Sequence, residues 1–321
     1  MAHIVVIGSI NMDLVCRTRS IPRPGETLLG SSFVTIPGGK GANQAVAAAK
    51  LARPDTKVYM IGRVGTDDFG QRLVNGLVQH GVDASHVTVT ENESSGVAMI
   101  LVDRKGENSI VVAAGANAKL SPADIDAADD LIKSADAVVM QLEIPHETVA
   151  HAIAKCRQMG VHSILDPAPA PAKLPRAMLG VDLFTPNQSE AEVLIGLRDN
   201  KRAKRILRKV SDPKQIAMHL LSRGARSVVL KLGSKGAMLL GRDGTIRTAK
   251  AFKTRVVDTT AAGDAFTGAL AVARVEQMDP ETMLKFANAA GAICCQAFGA
   301  QPSLPSRHQV DALFDTSTST A

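Results

Sequence analysis

The sequence predicts an α/β fold: a mostly parallel sheet flanked by helices on both faces, with a second, small β-sheet near one end. Two observations carry this. Six short apolar runs, HIVVIGS, VYMIGRVG, AVVMQLE, VHSILD, LFTPN and SVVLKLG, end in Gly, Asn, Asp or Glu. Helical patterns over 42–51, 69–80, 145–159, 190–197 and 215–222 separate most of them. Alternation of this kind gives parallel strands that need cover on both faces. The second observation is that 14–37 and 95–111 break the alternation. Both show apolar and polar residues in turn, with Gly or Pro turns, and pair naturally into a small sheet over the strand ends.

In chain order, the first strand runs into GSINMDLV, where Asn11 and Asp13 stand as strand gives way to hairpin. Short polar residues there are also ordinary turn formers. PGGKGANQAVAAA follows. Its Gly38, Gly39 and Gly41 let a ligand approach the backbone, and Lys40 and Asn43 open an Ala-rich helix. The spacing is neither GxxxxGK[ST] nor GxGxxG, and a plain tight turn explains the glycines equally. SGVAMILVDRKGENSIVV reads as a hairpin turning at Lys105–Gly106. Glu143 ends AVVMQLE, where a cap for the helix after Pro145 is the simplest role. Asn187 and Glu190 sit three apart in TPNQSEAEV, a spacing that capping also explains.

VVDTTAAGDAFTGALAVA, residues 256–273, is the most informative stretch. Val256 and Val257 read as the end of a strand, and a nearly uncharged helix begins near Asp264. The small-residue turn between them leaves N–H groups bare at a helix N-terminus, which suits an anion. A carboxylate beside such a site does little for stability and points to chemistry.

Composition excludes several classes. The chain has 321 residues, 45% hydrophobic and 21% charged, as in an ordinary soluble protein with ample core. Trp is absent, Tyr occurs once and aromatics make up 3%, so base stacking is disfavoured. The opening MAHIVVIGSINMDL turns polar too early for a leader, and no apolar run reaches membrane-spanning length. Cys16, Cys156, Cys294 and Cys295 fit neither a zinc site nor a disulfide framework. A cytoplasmic protein with no membrane contact is expected. The segment 197–214 holds eight Lys/Arg against Asp199 and Asp212, a balance equal to the whole net charge of +6. Ala203, Ile206, Leu207 and Val210 recur there at helical spacing, so a solvated surface helix is the expectation, ahead of a nucleic-acid site.

Taken in order, GSINMDLV, PGGKGANQA, GRVGTDDFG, the NQSE turn, KLGSKG and DTTAAGDAF resemble the ribokinase-like (pfkB) carbohydrate kinase family, from Ile4 to about Phe314. The resemblance implies a doubly wound α/β domain over 1–13, 38–94 and 112–315. It implies a β lid over 14–37 and 95–111 that closes on the sugar and forms a homodimer contact, while 316–321 reads as a disordered Ser/Thr tail. It further implies ATP-dependent phosphorylation of D-ribose at the 5-hydroxyl. Asp264 would be the catalytic base and Ala261, Ala262, Gly263 and Asp264 the anion hole. Asn11, Asp13, Gly39, Lys40, Gly41, Asn43 and Glu143 would bind sugar, with Ala98, Ile100 and Ile110 lining the lid side. Asn187, Lys231, Gly233, Ser234, Lys235, Gly236, Gly263 and Asn288 would hold the nucleotide. Lys231 stands where close relatives often carry Thr, and Ala261 where much of the wider family carries Gly. Glu190 would organise Mg²⁺. Asp258, Thr260, Cys294, Ala297, Gly299 and Ser303 match a monovalent-cation loop suited to K⁺, although Asp258 also reads as a turn residue. A kinase for deoxyribose, another sugar or a nucleoside is the alternative. So is a non-catalytic sugar sensor or nucleic-acid binder, against which the intact Asp264 turn argues.

Overall fold

The computed structural model describes residues 1–196 and 212–318. The basic stretch therefore lies outside the described residues except for Asp212, Pro213 and Lys214.

The chain begins with β1 (Ala2–Ile7), β2 (Asn11–Arg17) and β3 (Ser32–Gly38), then the helix Lys40–Leu51 and β4 (Thr56–Gly65). The helix Asp68–Gln79 leads to β5 (Val82–Thr90), β6 (Gly96–Val102) and β7 (Asn108–Ala113). After a 3₁₀ turn and two one-turn α-helices come β8 (Ala137–Met140), the helix His146–Met159, β9 (His162–Leu165) and β10 (Leu183–Phe184). The helices Gln188–Leu194 and Pro213–Ser222 precede β11 (Ser227–Lys231), β12 (Ala237–Gly241) and β13 (Ile246–Ala249). Three helices close the fold: Ala262–Val275, Pro280–Cys294 and Arg307–Thr318.

The large sheet has nine strands in the order β13-β12-β11-β10-β9-β8-β1-β4-β5. Every pairing from β11 to β5 is parallel; near the edge β12 alone runs the other way, pairing antiparallel with both β11 and β13. β1 shows why both faces need cover. Ile4 and Val6 enter one core, together with the helices Lys40–Leu51, Ala262–Val275 and Pro280–Cys294. Val5 and Ile7 enter the other, with His146–Met159 and Pro213–Ser222. All four side chains are fully buried, each contributing roughly 1.5–3 kcal/mol of transfer free energy. The doubly covered sheet is thus the one the apolar runs predict.

The small sheet has the order β3-β2-β6-β7. β2 pairs antiparallel with β3 and parallel with β6, and β6 turns back on β7 through 103–107. The expected hairpin at Lys105–Gly106 is present, though both extended segments join the sheet a few residues beyond their expected limits.

Two expectations are corrected. Val256 and Val257 end no strand: they are 60% and 56% exposed. The N–H of Val257 bonds the carbonyl of Cys295 at 2.8 Å, so a helix-end carbonyl replaces a ladder partner. Glu143 caps nothing, since the following helix has no side-chain cap. The last helix is described as far as Thr318, and 319–321 of the segment expected as tail lie outside the described residues.

Candidate active site

Parallel strands deliver their loops to one end of the sheet, and the polar residues singled out from the sequence gather there. Two features of the Pro37–Gly41 turn make the assembly possible. Gly39 has φ of 86°, open to glycine at little cost. At Gly38 a Cβ would stand 2.4 Å from Asp13 Oδ2, so only glycine lets that carboxylate lie flat on the turn.

Asp264 lies in the first turn of the Ala262–Val275 helix and is buried. Its Oδ2 accepts from Asn43 Nδ2 at 3.0 Å and its Oδ1 from Gln44 Nε2 at 2.9 Å. The preceding residue, Ala261, is left-handed at φ 59°. Among the described residues the N–H groups of Gly263 and Asp264 have no partner, whereas Ala262 and Ala265 bond Thr259 and Ala261. The bare donors expected from the sequence are therefore present beside the carboxylate. Burial pushes the Asp264 carboxyl up from its ordinary value; Lys40 works against this and Asp166 with it.

Glu143 Oε2 accepts from Ser9 Oγ at 2.6 Å and from the Lys40 N–H at 3.1 Å, tying two loops together. Burial disfavours the Lys40 charge, yet Asp264, Glu143, Asp166 and Glu190 outweigh it and hold the ammonium above its usual range. Asp13 is 8% exposed. Burial first, then Glu143 and Asp264, raise its carboxyl to about 7, with Lys40 opposing.

A cleft of about 930 Å³ opens from Asp264 and is lined by Lys40, Asp166, Asn187, Glu190, Lys231, Gly233, Ser234, Gly236, Ala261, Ala262, Gly263 and Asn288, among others. Lys235 is exposed and outside this lining. Asn187 and Glu190 form a capping box, each side chain bonding the other's backbone N–H at 2.8 Å, and both still face the cleft. Capping and site placement coexist. Burial raises the Glu190 carboxyl, opposed by Lys231. Asn288 donates to the carbonyls of Ala249 and Lys250, fixing one wall.

A smaller cavity of about 140 Å³ lies against the small sheet, lined by Asp13, Ile36, Ile100, Ile110, Asp258, Thr260 and Gly299 among others. Asp258 Oδ1 accepts from the backbone and hydroxyl of Thr260, and Oδ2 from the Gly299 N–H at 3.0 Å. Cys294 Sγ stands 3.0 Å from Ser303 Oγ and donates to the Thr260 carbonyl at 3.5 Å. Of the expected cation loop, only Ala297 is exposed.

Several residues escaped sequence reading. Asp166 accepts from Gln44 Nε2 (3.0 Å), Thr267 Oγ1 (3.2 Å) and Lys231 Nζ (3.0 Å). Gln141 donates to Gln44 Oε1 at 2.7 Å. Asn117 accepts from the Ile10 N–H and donates to Asn11 Oδ1 at 2.7 Å, setting the angle of the Asn11 amide. Only Asp166 left a trace in the sequence, as the terminal carboxylate of VHSILD.

Known proteins resemble this chain closely in sequence and fold. Ribokinase of Schizosaccharomyces pombe is 40% identical over 325 aligned positions, covering 100% of both chains. Deoxyribokinase of Salmonella typhimurium is 39% identical, covering 95% of this chain and 96% of its own. The structure of Arabidopsis thaliana ribokinase complexed with ribose and ATP superposes with a TM-score of 0.84 at 33% identity, covering 98% and 99% of the two chains. The pattern described as pfkB family carbohydrate kinase matches residues 1–307. The chain belongs to the pfkB family of carbohydrate kinases.

Proposed function

We propose that the chain transfers the terminal phosphoryl group of ATP to the 5-hydroxyl of D-ribose. The observation that carries this reading is a buried carboxylate, Asp264, set beside unpartnered N–H groups at the inner end of a nucleotide-sized cleft. Asp264 accepts the hydroxyl proton as the sugar oxygen bonds to phosphorus. The bond from phosphorus to the bridging oxygen breaks in line, its electron pair leaving with ADP. The N–H groups of Gly263 and Asp264 face the charge on the transferred group, so positioning and fixed dipoles supply the catalysis. A base raised by burial is better matched to a hydroxyl proton than an ordinary carboxylate.

ATP lies along the cleft, its phosphates toward Asn187 and the 231–236 turn. Ribose lies between Asp13, Asn11, Lys40, Asn43 and Glu143. Among the described residues no group of three or more His, Cys, Asp or Glu is placed to hold a metal. That donor set still fits Mg²⁺, which keeps several waters and needs few protein ligands; Glu190 would hold it through water. Mg²⁺ would neutralise phosphate charge. The Asp258 carboxylate with carbonyls of its loop and Ser303 Oγ is an all-oxygen donor set, suited to K⁺.

β2, β3, β6 and β7 would serve as the lid over the sugar. Their exposed Phe33, Met99, Ile110 and Val111 favour a homodimer through this sheet, which sedimentation would test. No helix among the described residues is long and apolar enough to cross a membrane.

Phosphorylation of 2-deoxyribose is the second reading, favoured by the likeness to deoxyribokinase. Asp13 weighs against it, because a buried carboxylate placed for two vicinal hydroxyls is left half-paired by the deoxy sugar. ADP release with Mg-ATP and ribose, 2-deoxyribose, fructose or adenosine, each in K⁺ or Na⁺, tests the proposal. Ribose preferred with K⁺ stimulation supports it; another preferred acceptor overturns the substrate, and no turnover overturns the activity.

A further inference from the structure

Lys231 closes β11 at the cleft floor. Its N–H bonds the Pro186 carbonyl at 3.0 Å, and its backbone bridges to Asn187, so its root is fixed. Its side chain is 11% exposed, with Nζ 3.0 Å from Asp166 Oδ1. Nζ is also the nearest atom, at 3.6 Å, to where a Cβ on Gly263 would stand. Gly263 bears one of the unpartnered N–H groups of the turn. The ammonium thus stands beside those donors.

Stability alone explains this poorly. Buried ion pairs are weak stabilisers, and Asp166 already accepts from Gln44 and Thr267. An ammonium has three donors, and among the described residues Lys231 Nζ makes one hydrogen bond. Two N–H groups are left at the cleft. Of the other two lysines lining the cleft, Lys253 is exposed and Lys40 is already matched by Asp264 and Glu143.

We propose that Lys231 is a catalytic cation, contacting the terminal phosphoryl oxygens of the bound nucleoside triphosphate beside the N–H groups of Gly263 and Asp264, with Asp166 as the positioning residue that holds it there. The inference rests on the kinase reading above. Lys231 keeps its proton throughout and exchanges no bond. It faces charge that spreads over the phosphoryl oxygens while the sugar oxygen–phosphorus bond forms and the bridging bond breaks. A cation fixed beforehand in a partly dry cleft needs little reorganisation at that moment.

The test compares wild type, Lys231→Met and the double variant Asp166→Asn/Lys231→Met, each with kcat, KM for ribose and for ATP, and a thermal melt. Wild type inactive on every acceptor overturns the kinase reading, and this inference with it, before any variant is made. With an active wild type, Lys231→Met is expected to lower kcat about 100-fold, the scale of losing one oxyanion donor, with the ribose KM little changed. The double variant leaves no buried charge unpaired, so it folds even if the single variant does not. It is expected to stay equally slow. Recovery of the double variant to within about threefold of wild type would show that Lys231 serves only to neutralise Asp166 and would overturn the proposal. So would a wild-type kcat in Lys231→Met.

Discussion

Asn43 and Asp264 are 221 residues apart in the chain, yet Asn43 Nδ2 donates to Asp264 Oδ2 at 3.0 Å inside the protein. Each stands in the first turn of its helix, and the two helices pack side by side, with Gly268 against Ala47. The contact is therefore set by core packing. Asn43 Oδ1 is buried without a partner, and an orphaned acceptor next to a base is a natural seat for a hydroxyl donor.

Asp264→Asn is expected to lower kcat by about 10²–10⁴, the range of a lost general base. ATP binding and melting temperature should change little, since the amide keeps the shape and one acceptor. ADP release and nucleotide titration check this; turnover comparable to wild type would remove Asp264 from the chemistry.

Asp13 couples pH to stability and, if it holds the sugar as proposed, to binding as well. Its carboxyl sits at about 7 in the folded chain against an ordinary 3.8. A raised acid favours the folded state fully below the ordinary value, and that contribution is lost as pH climbs through about 7. The difference amounts to on the order of 4 kcal/mol at pH 8. Asp13→Asn should therefore raise the melting temperature, by more at pH 8 than at pH 5. It should also weaken ribose binding at pH 8, because the ionised form accepts both hydroxyls. Melts at the two pH values and the ribose KM decide it: an equal shift at both would dissociate Asp13 from the effect.

Gly268→Ala should injure fold and turnover together. A Cβ there would come 2.7 Å from Ala47 Cβ and 2.9 Å from the Gln44 carbonyl. Overpacking of this kind costs about 1–3 kcal/mol, and the displaced backbone carries Gln44, whose amide holds Asp264. Urea unfolding alongside kcat measures both; a loss of stability with kcat intact would show that the amide follows the base.

Asp258→Ala should abolish any K⁺ stimulation while leaving residual turnover in Na⁺. Although burial opposes it, hydrogen bonds from Gly299 and Thr260 hold the Asp258 carboxyl below its ordinary value, so the charge persists at neutral pH. Rates in K⁺ against Na⁺ test the loop. Stimulation surviving the substitution would place the cation elsewhere.

The sheet was legible because parallel strands advertise themselves twice, as unbroken apolar runs and as strand-end polar residues. The placement of a site residue was legible wherever it depends on immediate neighbours, as with Asp264 in the first helical turn behind Ala-Ala-Gly or Asn187 capping three before Glu190. What escaped was long-range. Gln44, Gln141, Thr267 and Asn117 carry no local signal, because each acts on a partner 97 to 220 residues away. Val256 and Val257 mislead for the related reason that β-branched residues suit extended chain, whether or not a ladder partner waits beside it.

The helix that begins at Ala262 buries every residue from Asp264 to Ala273. A carboxylate planted in such a pillar has no slack, and neither have the N–H groups beside it. If that carboxylate is the base proposed above, adjustment between sugar and triphosphate falls to the other side, to the thin four-stranded sheet whose β7 is exposed along its whole length. Under the kinase reading proposed above, the base would share the stiffness of the core, and the small sheet would be the part that gates it.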